Sequence, residues 1–529
     1  MVTLTIDGKE IEVPEGTRLF NACLKGRGEQ LPHFCYHPDL SIAGVCRLCQ
    51  VEIEGMPKLT IACNTTVQAG MVVHTRSERV QKANQQVLEM HLINHPVDCP
   101  ICDQAGECGL QDQYMVYGLY TTEVEKADKV RKTKAQVIGP YVILDQERCV
   151  LCSRCVRFCQ EVTGTGELGI FNRGDQAEIN VAPGTELANN YSLNTVDICP
   201  VGALTSRDFR FQKRVWMLKS TPSICPGCAT GCNVRLDHEA DRIYRLKPRR
   251  NDEVNGLWMC DQGRLTYKAV HDEKRLKEVL LRQEGELRPV TWQEGWATLT
   301  ELLAPGKVDL ALTCPQQTLE ELFLFKQLAA AVVSDGGKSG HLAGTDQGKG
   351  DDILLSSDHA PNRRSLEWLG IPALSAEDLS SHLAGSRGTV VVYGHDPAGS
   401  DPGLASALAS CENLVYLGTH LNTTARAATL CLPLSMWAEK DGLFVNRRGR
   451  IQALQRAVAR PQDAREDWRL LAELGQANGG LPDPPQNLTD LRGLVQHSLS
   501  LPEDIDLNRL STKGLLPDLD PTAPAGGDG

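Results

Sequence analysis

Three cysteines at two-residue intervals constrain this chain more than any other stretch: Cys149-Val150-Leu151-Cys152-Ser153-Arg154-Cys155, with a fourth at Cys199-Pro200. C-x2-C-x2-C plus a distant C-P is the spacing of a loop that wraps an iron–sulfur cube. Buried thiols or a disulfide are the plain alternative, and neither needs that spacing. Cys159 stands where a two-cluster protein would supply a ligand to its second cube. The second triplet such a cube needs is missing from this segment, so Cys159 reads as a spare thiol.

The other cysteines fall into comparable groups. Of the 20 in the 529-residue chain, 17 precede residue 261, and only Cys314, Cys411 and Cys431 follow. A disulfide scaffold belongs to a small secreted domain, whereas tight groups with ligand spacing point to metal. The length predicts about three or four domains. The formal net charge of −12 does not favour nonspecific nucleic-acid binding. The N-terminus has no basic segment leading into a long apolar one, so no signal peptide is expected. No apolar run approaches the ~18 residues of a membrane span, so membrane association is expected only through partners.

In chain order, Val2–Val13 reads as a hairpin turning at Asp7-Gly8, followed by a short helix with Leu19, Ala22, Cys23 and Leu24. Cys23 lies on the apolar face of that helix and reads as core. Cys35, Cys46, Cys49 and Cys63 then offer two thiolates to each iron of a [2Fe-2S] rhomb. The first gap of ten residues is longer than the plant-type spacing. A structural zinc site is the alternative. Thr75-Arg76-Ser77-Glu78 predicts a capping box opening a helix that ends near Asn94. His95, Cys99, Cys102 and Cys108 follow. Three thiolates cannot complete a cube, and His95 is the nearest competent fourth ligand, with His91 on the helix as its rival. An imidazole in place of a thiolate removes one negative charge, which by itself raises a cluster's potential. Residues 121–136 read as a solvated connector and 142–144 as a strand. Cys225, Cys228, Cys232 and Cys260 form a fourth group around a small hairpin, again with zinc as the alternative.

After Gly263 the pattern changes. Residues 310–313, 390–394 and 414–418 read as buried parallel strands and 319–333 as an amphipathic helix, which predicts an open α/β domain. Gly336–Gly350 reads as a mobile loop. Gly394–Gly399 follows a strand but lacks a nucleotide-binding glycine signature, and reads as a loop. Cys314 and Cys411 read as buried thiols. The Pro/Gly-rich stretch from Pro521 is expected to be disordered.

Together the four groups, in this order, resemble the family of the large iron–sulfur subunit of NADH-quinone oxidoreductase, respiratory complex I. The fourth group matches an extra cluster of some bacterial members. Trp437-Ala438-Glu439-Lys440-Asp441-Gly442-Leu443-Phe444-Val445-Asn446 and Gly449-Arg450-Ile451-Gln452 resemble the attached molybdopterin-oxidoreductase domain.

The resemblance implies α+β iron–sulfur domains followed by a truncated molybdopterin-oxidoreductase-like α/β domain. The expected division is a 2Fe-2S ferredoxin-type domain of β-grasp form over 1–78 and a 4Fe-4S segment with one histidine and three cysteine ligands over 79–120. A bacterial-ferredoxin-like 4Fe-4S domain follows over 138–212, then a molybdopterin-oxidoreductase-type 4Fe-4S domain over 218–274. The truncated α/β domain covers 275–500 and a flexible tail 501–529.

One 2Fe-2S and three 4Fe-4S clusters are expected. They would relay electrons from a flavin in an NADH-binding partner toward quinone, through quinone-proximal iron–sulfur subunits. The expected place is the cytoplasmic face of the bacterial inner membrane. No catalytic base or nucleophile is implied in this chain. Molybdenum enzymes of the wider superfamily run longer and usually carry Lys after the last cysteine, where this chain has Asp261-Gln262. No working molybdopterin site is therefore expected. The alternative function is the catalytic subunit of an NAD-linked molybdenum formate dehydrogenase.

Overall fold

The computed structural model describes residues 1–121, 124–385, 387–502 and 505–517. The chain divides into two compact units, 1–218 and 219–529.

In the first unit, Val2–Ile6 and Lys9–Val13 pair antiparallel through Asp7 and Gly8, both with positive φ. Alternation places Leu4, Ile6, Ile11 and Val13 on the buried face. Val72–His74 pairs parallel to the first strand, and Gln50–Ile53 continues the sheet. The helix Leu19–Arg27 covers it with Leu19, Phe20, Ala22 and Cys23. This mixed sheet with one helix across it is the β-grasp arrangement. Cys23 is a core thiol, pushed up to about 12 by burial.

The next helix, Glu78–Leu92, starts one step away from the expected capping box. Its cap is Ser77, whose Oγ accepts from Val80 N at 3.3 Å. Thr75 is occupied elsewhere, its backbone N–H donating to Asp7 Oδ1 at 2.7 Å. The helix ends two residues before Asn94, at Leu92. The expected strand is Val142–Leu144, paired antiparallel with Leu204–Ser206. That pairing brings the Cys199 loop back beside the Cys149 loop.

In the second unit, Asn233–Glu239 and Arg242–Pro248 form the expected hairpin, joined by Lys219–Ile224. Beyond it lies an eight-stranded sheet. Val308–Thr313, Thr389–Tyr393 and Asn413–Gly418 are adjacent parallel strands and almost wholly buried, as their unbroken apolar runs predict. Leu319–Val332 is a helix with a Thr318–Glu321 capping box.

Two expectations fail here. Most of the glycine-rich stretch from Gly336 is not a loop, because Val333–Leu342 is a strand parallel to Val308–Thr313. Gly340 is needed there, since a Cβ on it would meet Pro372 O at 2.4 Å. The flexible tail does not begin at 501. Leu501, Ile505 and Leu507 are buried in the core, and Leu515 exchanges two backbone hydrogen bonds with Ile451. Residues 518–529, with the stretch from Pro521, lie outside the described residues. No helix among the described residues is long and apolar enough to cross a membrane.

Candidate functional site

The first cysteine group is buried in the first unit, each thiol at most 3% exposed. Cys35 and Cys46 lie 3.3 Å apart, sulfur to sulfur. Their hydrogen bond holds Cys35 down to about 5 and pushes Cys46 up. Cys49 and Cys63 form a second such couple, with Cys63 lowered and Cys49 raised by their hydrogen bond. Two pairs suit a rhomb with two ligands per iron. Arg47 takes φ 58°, a left-handed turn between Cys46 and Cys49. Phe34 N also donates to Cys46 Sγ at 3.4 Å.

The second group opens on a strained loop, with Val97 at φ 49°. Burial raises Cys102 and lifts Cys108 to about 11; Cys102 feels the charge of Cys99, and Cys108 that of Cys102. Gly202 is closely fitted, since a Cβ there would stand 2.4 Å from Cys102 Sγ. His95 is lowered to about 4 by burial, with Asp98 opposing the shift. It lines a cavity shared with Asn94, Lys132, Glu147, Cys149 and Leu151. Its rival His91 is already engaged: Nε2 contacts Cys46 O at 3.1 Å, and the ring packs edge-on against Phe34.

No sequence signal marks Lys129, which falls in the stretch that reads as a solvated connector. Its ammonium donates to the carbonyls of Leu92, Ile93 and His95 at 2.8–3.0 Å. A cation at a helix C-terminus satisfies orphan carbonyls there, and this one also pins the His95 loop.

The third group comes together as its spacing predicts. Cys149, Cys152, Cys155 and Cys199 line one cavity with Leu144, Val150, Ile179, Val201, Ala203 and Leu204, enclosing about 350 Å³ of empty space. Leu151 and Ser153, both left-handed, turn the backbone between the thiols. Leu151 N donates to Cys149 Sγ at 3.4 Å. Burial pushes Cys149 up to about 12 and Cys152 to about 11, and raises Cys155 and Cys199. An apolar cradle holding four thiols that resist ionising alone fits a bound metal cluster, because metal binding deprotonates its thiols. Cys159 is fully buried on the following helix, Arg154–Glu161, and is pushed up to about 12 by burial.

The second and third groups are tied together. Gly109 N donates to Pro200 O at 2.8 Å. Arg148, next to Cys149, holds Asp98, next to Cys99, through two bonds of 2.8 and 3.2 Å.

In the second unit, Cys225, Cys228, Cys232 and Cys260 are each at most 5% exposed. Burial and the neighbouring sulfurs raise Cys225 and Cys232 well above the usual thiol range. Gly227 N and Gly263 N donate to Cys225 Sγ and Cys260 Sγ. A Cβ on Gly263 would stand 2.9 Å from Cys225 Sγ. The motif beyond residue 437 braces this loop. Asn446 Nδ2 donates to Thr230 O at 3.2 Å and Gln452 Nε2 to Gly231 O at 3.1 Å. Among the described residues, no three His, Cys, Asp or Glu side chains converge on a single-ion site.

The fit for a molybdopterin is poor. Strands Val308–Thr313 and Thr389–Tyr393 meet where the sheet order reverses, the usual ligand crevice of an open α/β sheet. Side chains fill that edge. Cys314 Sγ donates to Gly394 O at 3.1 Å, and a Cβ on Gly394 would fall 2.0 Å from Gln317 Nε2. Cys411 Sγ is turned to Ala407 O and Cys431 Sγ to Ala425 O.

Fold and sites together define an iron–sulfur protein with ferredoxin-type N-terminal regions and a molybdopterin-oxidoreductase-type α/β region. The matching family models follow the same order. A 2Fe-2S iron-sulfur cluster binding domain matches residues 1–78, and the NADH-ubiquinone oxidoreductase-G iron-sulfur binding region matches 85–123. The ferredoxin-like domain of NADH-quinone oxidoreductase subunit 3 matches 139–205. The molybdopterin oxidoreductase Fe4S4 domain matches 218–272, and molybdopterin oxidoreductase matches 375–477.

The chain is homologous to the G-type subunit of NADH-quinone oxidoreductase over 62% of its length. The protein of that name from Rickettsia conorii is 40% identical over 330 residues, 49% of its own length. The mitochondrial NADH-ubiquinone oxidoreductase 78 kDa subunit of Neurospora crassa is 40% identical over 63% of this chain and 45% of that one. The matched region thus spans about half the length of these curated relatives. A chain from the crystal structure of NAD+-reducing [NiFe]-hydrogenase in the H2-reduced state aligns at 30% identity and TM-score 0.36, over 40% of this chain and 91% of that one.

Proposed function

We propose that this chain is the iron–sulfur electron-relay subunit of an NADH:quinone oxidoreductase, respiratory complex I. The observation that carries the reading is the single apolar cavity lined by all four thiols of the Cys149 group.

The proposed ligands are Cys35, Cys46, Cys49 and Cys63 for a 2Fe-2S cluster. His95, Cys99, Cys102 and Cys108 would hold one 4Fe-4S cluster, Cys149, Cys152, Cys155 and Cys199 another, and Cys225, Cys228, Cys232 and Cys260 a third. Bound clusters supply one-electron redox chemistry. The chain's own residues do the rest. Leu144, Val150 and Val201 keep water from the Cys149 group. Backbone N–H groups aimed at Cys46, Cys149, Cys225 and Cys260 stabilise thiolate charge. Arg148 and the Gly109–Pro200 bond fix the second group against the third.

The proposed partners are a flavin- and NADH-binding subunit upstream and quinone-proximal iron–sulfur subunits downstream. The proposed location is peripheral, on the cytoplasmic face of the bacterial inner membrane. Molybdopterin is not part of this reading, because side chains occupy the crevice that would receive it.

Purification from the native membrane, with the co-purifying subunits identified and iron and molybdenum counted, tests the proposal. A brown complex with NADH:quinone activity and no molybdenum is expected. One molybdenum per chain with formate oxidation would favour the formate dehydrogenase instead.

A further inference from the structure

Two arginines of the helix Arg154–Glu161 reach between the first and third cysteine groups. Arg157, 7% exposed, donates from Nη2 to Cys35 O at 2.6 Å and to Cys152 O at 3.4 Å. Its Nη1 bonds Ser41 O, and its Nε reaches Ser153 Oγ at 3.2 Å. Arg154, half-buried, donates to Tyr36 O at 2.6 Å and Ile198 O at 3.1 Å, while its Nε is buried without a partner. Among the described residues no carboxylate pairs with either guanidinium. Glu161, on the same helix, is taken up by Ser41 N at 2.7 Å.

A buried cation with no counter-ion is costly and calls for an anion nearby. The anions in reach are the thiolates of two different groups: Arg154 interacts with Cys152, Cys199 and Cys35, and Arg157 with Cys35 and Cys152. Each bound cluster with its four thiolates is a compact negative charge, and net charge near a cluster sets its reduction potential. A fixed positive charge between two such sites stabilises the reduced form of both.

We propose that Arg157, seconded by Arg154, is the shared counter-charge of the Cys35-group and Cys149-group centres, raising the reduction potentials of both and holding the two loops in one fixed relation. These are positioning and tuning residues. The inference rests on the electron-relay reading above.

The test is an EPR-monitored redox titration of the full chain with its clusters loaded, comparing wild type, Arg157→Gln, Arg157→Lys and Arg154→Gln. Both midpoint potentials are expected to fall in Arg157→Gln and, by less, in Arg154→Gln. Arg157→Lys keeps the charge but loses the guanidinium fork, and should leave both near wild type. If Arg157→Gln sheds its iron, Arg154→Gln and Arg157→Lys decide. The inference is overturned by unchanged potentials in an iron-replete Gln variant, by a shift at one centre only, or by a Lys variant that falls as far as Gln. A wild-type chain without EPR-active iron would instead refute the electron-relay reading.

Discussion

Lys440 Nζ lies 2.7 Å from Glu321 Oε2, both side chains buried, and Asp467 Oδ2 completes the cluster at 3.0 Å. Lys440 belongs to the motif that resembles molybdopterin oxidoreductases. It ties the strand Gly442–Val445 to the helices Leu319–Val332 and Asp467–Ala477. Gly442 fits against Thr318, where a Cβ would come within 2.3 Å of Cγ2. Here the motif serves as framework. Removing one partner of a buried ion pair leaves uncompensated charge and costs about 3–5 kcal/mol. Lys440→Met should therefore lower the denaturation midpoint of the second unit steeply, with iron in the first three groups retained. Urea titration alongside an iron assay checks it.

Burial raises Glu321 to about 7, against the pull of Lys440. A raised carboxyl binds its proton more tightly folded than unfolded. The stability it contributes is complete below its unfolded value near 4.5 and is lost as pH rises toward 7. Wild type should therefore lose stability relative to Glu321→Gln between pH 4.5 and 7. Parallel pH–stability curves for the two proteins would contradict this.

His95→Ala should alter the EPR signal of the second group alone. His91→Ala removes a contact to Cys46 O and should disturb the first group instead. EPR spectra of the two variants separate the rivals, and a lost second-group signal in His91→Ala would reverse the assignment.

Cys159→Ser should keep its full iron content, at a modest cost in stability from placing a hydroxyl in an apolar site. Loss of a four-iron centre in that variant would show that Cys159 is a ligand.

What is legible in the sequence is local. Asp7-Gly8 between alternating apolar residues specifies its hairpin without help, and the thiol spacing specifies the Cys149 loop. Sequence patterns mislead where distant partners decide. Val333–Leu342 has the composition of a loop and is a strand only because Val308–Thr313 pairs with it. Thr75 gives up its capping role to Asp7, far back in the chain. Leu507 is buried because the core of the second unit has a place for it. Arg154 and Arg157 meet their partners across more than a hundred residues, so no periodicity could mark them.

The central claim is that four side-chain groups each hold iron and sulfide. Iron and acid-labile sulfide counted on the purified, fully loaded chain, with EPR on stepwise reduction, test it most directly. About 14 iron atoms per chain are expected, as one two-iron and three four-iron centres. A colourless chain holding zinc and little iron would contradict it.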